Sequence, residues 1–164
     1  MMAFEYGCFI SFRHLDGIEE FVRRLAGDIK RDLDSQGIPH LKVFLDEDRI
    51  RAGDNFNMSI PTSLCKTAVM IVVYVPAYFN DQKPYCTKEF VAFFEHEQRR
   101  LAEITEKYPN YDLAKLHQVI PIVLRKNPAI SLPAELNSRN LIDWSNTTAL
   151  ERPGRFSQTT FGKR

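Results

Sequence analysis

Apolar residues recur along this chain at two spacings, and the alternation between them lays out the elements. Phe4 to Phe12 is an aromatic-rich run that predicts a first strand. After the loop Arg13-His14-Leu15-Asp16-Gly17, Ile18, Phe21, Val22, Leu25, Ile29 and Leu33 fall at helical spacing with charges on the other side. Asp16 followed by Glu19 has the form of a capping box. Gln36-Gly37 has the form of a helix end closed by a left-handed glycine. Leu41 to Leu45 predicts a second short strand. A helix must follow it, and Pro61 restricts its start, with Ser59 as N-cap and Phe56, Ile60 and Leu64 turned inward.

Ala68 to Val75 is the most apolar run in the chain and does not alternate, so it predicts a strand covered on both faces in the middle of a parallel sheet. Pro76 to Lys83 is then a loop, and a long helix runs from about Tyr85 to about Lys107, docked by Phe90, Phe94, Leu101 and Ile104. Val119 to Leu124 predicts a fourth strand, which Pro121 would demote toward a sheet edge. Asn127 to Leu136 holds two prolines and predicts no long helix, and Leu141 to Trp144 predicts a short fifth strand. From Ser145 the chain turns polar and aperiodic, so residues 1–146 are expected to form the domain and 147–164 a tail or linker. Strands alternating with helices make this an α/β domain with a mainly parallel sheet.

Composition acts mainly by exclusion. A chain of 164 residues is expected to form one domain with a proper core. Its 22 basic and 21 acidic residues leave a net charge of +1, which argues for neither a nucleic acid nor a membrane partner. Three widely spaced cysteines, Cys8, Cys65 and Cys86, suggest neither a disulfide scaffold nor a zinc site and fit a reducing compartment. No signal-peptide pattern opens the chain, and no apolar run approaches the roughly 20 residues of a membrane helix, so a cytoplasmic location is expected.

The candidate chemistry centres on Pro84-Tyr85-Cys86-Thr87-Lys88-Glu89-Phe90. On a helix Tyr85, Glu89 and Phe93 stack at spacing four, joined by Cys86, which places Glu89 among apolar neighbours. A carboxylate there is costly without a partner. The structural alternative, a favourable place near the helix N-terminus, weakens if Pro84 is the first helical residue, because Glu89 is then past the first turn. In a doubly wound sheet whose order reverses between strands one and three, ligands sit at the carboxyl ends of those strands. Those ends are Phe12-Arg13-His14 and Val75-Pro76, and the loop after the latter leads to Glu89. Two separate arguments thus meet in one cleft.

These same residues carry a family resemblance. Tyr6-Gly7-Cys8-Phe9-Ile10-Ser11-Phe12 resembles the first box of Toll/interleukin-1 receptor (TIR) domains. Phe44-Leu45-Asp46, followed by Arg51-Ala52-Gly53-Asp54, is similar to their second strand and BB loop. Tyr85-Cys86-Thr87-Lys88-Glu89 is similar to the Trp-x-x-x-Glu pattern of the enzymatic members, and Asp143-Trp144 resembles the last box. The resemblance spans about Phe4 to Trp144 and leans toward prokaryotic members, many of which act in antiphage defence. It implies a flavodoxin-like fold with strand order B-A-C-D-E and helices on both faces. It also implies either an assembly-only adaptor or an enzyme that cleaves NAD+ at the nicotinamide–ribose bond.

Under the enzymatic reading the family's glutamate maps onto Glu89, and its tryptophan onto Tyr85, a departure that weakens aromatic packing on the substrate. Phe12, Arg13, His14, Asp46 and Tyr85 are the expected substrate-binding residues, and Asp48, Arg49, Arg51 and Gly53 the expected self-association loop. NAD+ is then the substrate, and no cofactor or metal is expected. The partners expected are further TIR domains and possible sensor or effector domains. The chemistry asks for few groups. Nicotinamide leaves as a neutral molecule, so no general acid is needed, and one carboxylate can stabilise an oxocarbenium-like ribose. Tyr85 could stack on a planar ring; Arg13 suits a phosphate or is a plain loop cation. Cys86 reads as a packing residue, His40, His96 and His117 as surface or packing residues, and Ser11 as a hydrogen-bonding group at the strand end. No Gly-x-Gly-x-x-Gly or Walker loop follows strand one, which disfavours redox use of NAD+ and phosphoryl transfer. A receiver-type phosphoacceptor shares the strand order, but the acidic cluster expected at the end of strand one is missing.

Overall fold

A computed structural model describes residues 4–45, 59–82, 84–110, 112–113 and 116–146. The elements in chain order are β1 (Tyr6–Phe12), α1 (Ile18–Ser35), β2 (Lys42–Leu45), α2 (Ser59–Cys65), β3 (Thr67–Tyr74), α3 (Tyr85–Lys107), β4 (Val119–Val123), α4 (Ala134–Asn137) and β5 (Ile142–Asp143). All strand pairs are parallel, in the order β2-β1-β3-β4-β5. The chain therefore steps outward from β1 to β2, then reverses across β1 to β3. The expected flavodoxin-like α/β fold is the observed one.

Residue alternation along the two inner strands divides the core into two layers. Cys8, Ile10 and Phe12 of β1, with Ile71 and Val73 of β3, pack against Ile18, Val22 and Ala26 of α1. Phe9 of β1, with Met70, Val72 and Tyr74 of β3, faces Leu64 of α2 and Cys86, Phe90 and Phe93 of α3. Because both faces of β3 are covered, all but two of its residues are buried, which is why its sequence never alternates. The sheet holds α1 on one face and α2 and α3 on the other.

Two local expectations fail for physical reasons. No capping box closes α1. Its N-cap is Gly17, in a left-handed conformation (φ 79°) with no side-chain cap bond. The turn is closed instead by Ile18 N–H donating to the Leu15 carbonyl at 3.0 Å, while the Glu19 carboxylate turns to His14 (3.2 Å) and Arg23 (3.6 Å). The positive φ, which glycine adopts without strain, does the work assigned to Asp16. Pro121 does not send β4 to an edge either, since β4 lies between β3 and β5. Leu124 donates to Tyr74 of β3 and Trp144 donates to the Val123 carbonyl, so the odd-numbered residues of β4 face β5. Pairing with β5 begins only at Ile122, so the missing N–H of Pro121 falls where no ladder partner is present.

Other expectations hold. Gln36 is the C-cap of α1 and Gly37 is left-handed (φ 76°). The segment after β4 forms only a tight turn at Asn127–Ile130 and the four-residue α4. Leu64 is buried as expected, whereas Phe56 and the side chain of Ile60 lie outside the described residues.

Candidate active site

At the carboxyl end of β1, on the face that packs against α3, stands Ser11, completely buried. Its hydroxyl donates to Glu89 Oε2 at 2.8 Å and lies 2.7 Å from the Tyr78 hydroxyl. Tyr78 is also fully buried and comes from the loop after β3, held there by its N–H bond to the Val75 carbonyl at 2.8 Å. Three segments therefore converge in one polar chain: the end of β1, the β3–α3 loop and the second turn of α3. Glu89 is thus joined to the end of β1, and through Ser11 to the loop after β3, but inside the core and by Ser11 and Tyr78 rather than in a cleft formed by Phe12-Arg13-His14 and Val75-Pro76.

The arrangement follows from helix geometry. Cys86, Glu89, Phe90, Phe93 and Glu97 are the buried residues of α3 and form one stripe against the sheet. Glu89 is 3% exposed, so its carboxylate is covered rather than open at a cleft mouth. A carboxylate in that position is stabilised by its hydrogen bonds, and the Ser11 hydroxyl supplies one. Tyr85, the first helical residue, points away and is 53% exposed. Tyr85 and Glu89 thus share a helix face by spacing but not by environment.

The other expected site residues are spread out. The ring of Phe12 is fully buried in the α1 layer, and its carbonyl accepts the Cys86 thiol at 3.3 Å. His14 is exposed, its ring 4.7 Å from that of Phe12 and its Nδ1 on Glu19. Arg13 is partly exposed between them. Asp46, Asp48, Arg49, Arg51 and Gly53 lie outside the described residues. A cavity of about 380 Å³ opens near the ends of β3 and β4, lined by Tyr74, Lys126, Asn127, Ile130 and Leu141 among others. None of Ser11, Tyr78, Tyr85 or Glu89 borders it. Among the described residues no group of His, Cys, Asp and Glu comes together that could hold a metal ion, and no helix is long and apolar enough to cross a membrane.

A second buried carboxylate escaped the sequence reading. Glu97, 1% exposed, lies two turns beyond Glu89 on the same stripe. Arg139 grips it from the start of the segment leading to β5, Nη1 to Oε1 at 2.7 Å and Nη2 to Oε2 at 2.5 Å. The N–H groups of Gln118 (2.5 Å) and Val119 (3.3 Å) donate to the same Oε1. Burial by itself would raise the Glu97 carboxyl. The Arg139 hydrogen bond, the two peptide N–H groups and the guanidinium charge outweigh it and hold the group below the usual carboxylate range. The signal available in the sequence was Glu97 falling four residues after Phe93.

A parallel five-stranded sheet with this reversal of order, carrying a buried carboxylate beside its switch point, defines a doubly wound α/β module whose polar chain sits where such folds place ligands. The family model described as TIR domain matches residues 8–155, and the chain belongs to the TIR domain family. The crystal structure of the TIR domain of the Toll-related receptor TRR-2 from Hydra magnipapillata shares the fold, with a TM-score of 0.52, 20% identity and 86% of each chain covered. A chain of the activated Roq1 resistosome, solved while recognising the effector XopQ (TIR domains), is 22% identical over 76% of this chain, with a TM-score of 0.43. This chain spans 60% of that one. No curated protein matches.

Proposed function

We propose that this TIR domain is an NAD+ glycohydrolase in which Glu89 is the catalytic residue and self-association is the switch. The observation that carries the reading is the Ser11–Glu89 hydrogen bond, which fixes one carboxylate oxygen at the carboxyl end of β1, the position where this topology binds ligands. A carboxylate held there would face the ribose and stabilise the positive charge that develops as neutral nicotinamide departs. The product is ADP-ribose or a cyclic isomer. Tyr85, exposed at the head of α3, would stack on a planar ring of the substrate, and Arg13 would take a phosphate.

Burial shapes the mechanism. With 3% of its surface exposed, Glu89 must be uncovered before it can touch substrate. Assembly is the step assigned to that opening, through the segment carrying Asp48, Arg49, Arg51 and Gly53, and the isolated domain should turn over slowly. A defence-signalling role in the cytoplasm, with a sensor or effector domain as partner, fits this reading. The second reading is an adaptor that works by TIR–TIR contact alone. It is favoured by the same burial, since Glu89 hydrogen-bonded to Ser11 also satisfies a purely structural polar group.

Following nicotinamide release from NAD+ by the concentrated pure protein separates the two. The enzymatic reading expects turnover that falls on the order of 100-fold or more in Glu89→Gln, with NAD+ affinity far less affected. No release by concentrated wild-type protein, or full activity in a folded Glu89→Gln variant, would overturn it.

A further inference from the structure

Away from Glu89, at the opposite end of the sheet, α2 ends in a thiol set against an imidazole. Cys65 Sγ lies 2.9 Å from His96 Nε2, the two joining the last residue of α2 to the middle of α3. Both side chains are partly exposed, in contrast to the buried Cys8 and Cys86. The Arg100 guanidinium, one turn along α3, donates to the carbonyls of Cys65 and Thr67, each at 2.8 Å. The C-terminal end of a helix disfavours a thiolate, but here a fixed positive charge occupies the carbonyl of Cys65, the last residue of α2. Thiol, ring nitrogen and guanidinium together make the arrangement used to activate a sulfur nucleophile.

We propose that Cys65 and His96 form a nucleophilic pair that makes Cys65 this domain's modification site for soft electrophiles, of which α,β-unsaturated carbonyl compounds are the chemical class. In the step, the thiol proton passes to His96 Nε2 and the sulfur lone pair forms a C–S bond at the β-carbon. The C=C π pair moves to the carbonyl oxygen as an enolate, which takes a proton back from the imidazolium at the α-carbon. The product is a thioether adduct, and no oxidant is consumed.

The surroundings support this assignment of roles. Burial, then the charges of Arg99 and Arg100, lower the His96 pKa against a smaller opposing push from Glu95, which favours the neutral ring whose Nε2 faces the Cys65 sulfur. Among the described residues, further charged groups nearby include Lys66, next in the chain, Glu5 just before β1, which binds Lys66 at 3.1 Å, and Glu103, which acts on Arg100. Burial drives the Cys8 thiol up to about 12, leaving it inert beside Cys65.

N-ethylmaleimide labelling of the full chain, read by peptide mass spectrometry at pH 6.0 to 8.5 with glutathione as the reference thiol, tests this. Cys65 should react at least about tenfold faster than glutathione at pH 6.5. His96→Gln should return the rate to or below the reference, with circular dichroism unchanged. Cys65→Ser should abolish the fast label. A wild-type Cys65 slower than glutathione, or a folded His96→Gln variant with the wild-type rate, would overturn the proposal. Should His96→Gln fail to fold, the wild-type rate against glutathione alone decides.

Discussion

Replacing Arg139 by methionine should be among the most damaging single changes to this fold. Both partners of the Glu97–Arg139 pair are nearly inaccessible, with side chains 1% and 4% exposed. Removing the guanidinium deletes two charge-assisted bonds to Glu97 and leaves the carboxylate buried with two peptide donors. Breaking a buried pair from one side costs about 3–5 kcal/mol. For a domain of this size that is roughly 6–20 °C in Tm, and a large share of a total stability of about 5–15 kcal/mol. The pH dependence gives the sharper check. In the wild type the Glu97 carboxyl is lowered, so its contribution is full above the unfolded value and is lost as pH falls through the lower folded value. In Arg139→Met the sign reverses: Glu97 is easier to bury protonated, so acidification should close the gap to wild type. Urea unfolding at pH 7 and pH 4 measures this. A penalty below about 1 kcal/mol at pH 7, or a gap that does not narrow at pH 4, would refute the reasoning.

Ser11→Ala should cost about 1–3 kcal/mol in urea unfolding by removing a donor from a buried carboxylate, and should lower kcat for NAD+ cleavage more than it raises KM; an equally stable variant would show that the Glu89 bond contributes nothing. Specific activity should rise with protein concentration or a crowding agent, and a strictly constant value from dilute to concentrated protein would remove self-association as the switch.

Most of the fold could be read because its signals are periodic. The unalternating run ending in Val75 announced a strand covered on both sides, and α3 was expected and observed between Tyr85 and Lys107. Errors came where backbone conformation or pairing direction decides. A capping box and a left-handed glycine compete for the same helix start, and only the dihedral angles say that Gly17 prevailed over Asp16. Pro121 looked disruptive because the sequence does not say which neighbour a given N–H would face. The site was legible only in outline. Helical spacing brought out Glu89 and left Glu97 unremarked, although both sit on one stripe and both are buried. That Glu97 binds arginine and backbone shows that a carboxylate on an apolar face is no sign of chemistry by itself. What sets Glu89 apart is its position beside the end of β1 and its hydroxyl partner. Those are facts of tertiary geometry.

The grip of Glu97 on the chain just before β4 has a consequence for how this domain can vary. Gln118 and Val119 take their place from a helix side chain as well as from β3. The start of the fourth strand is therefore indexed to α3, at a point beyond the connecting residues 108–117. Lengthening or shortening that connection would leave the strand's register untouched, because the anchor lies downstream of the change. The same stretch is then a suitable point at which to splice a tag without displacing the sheet.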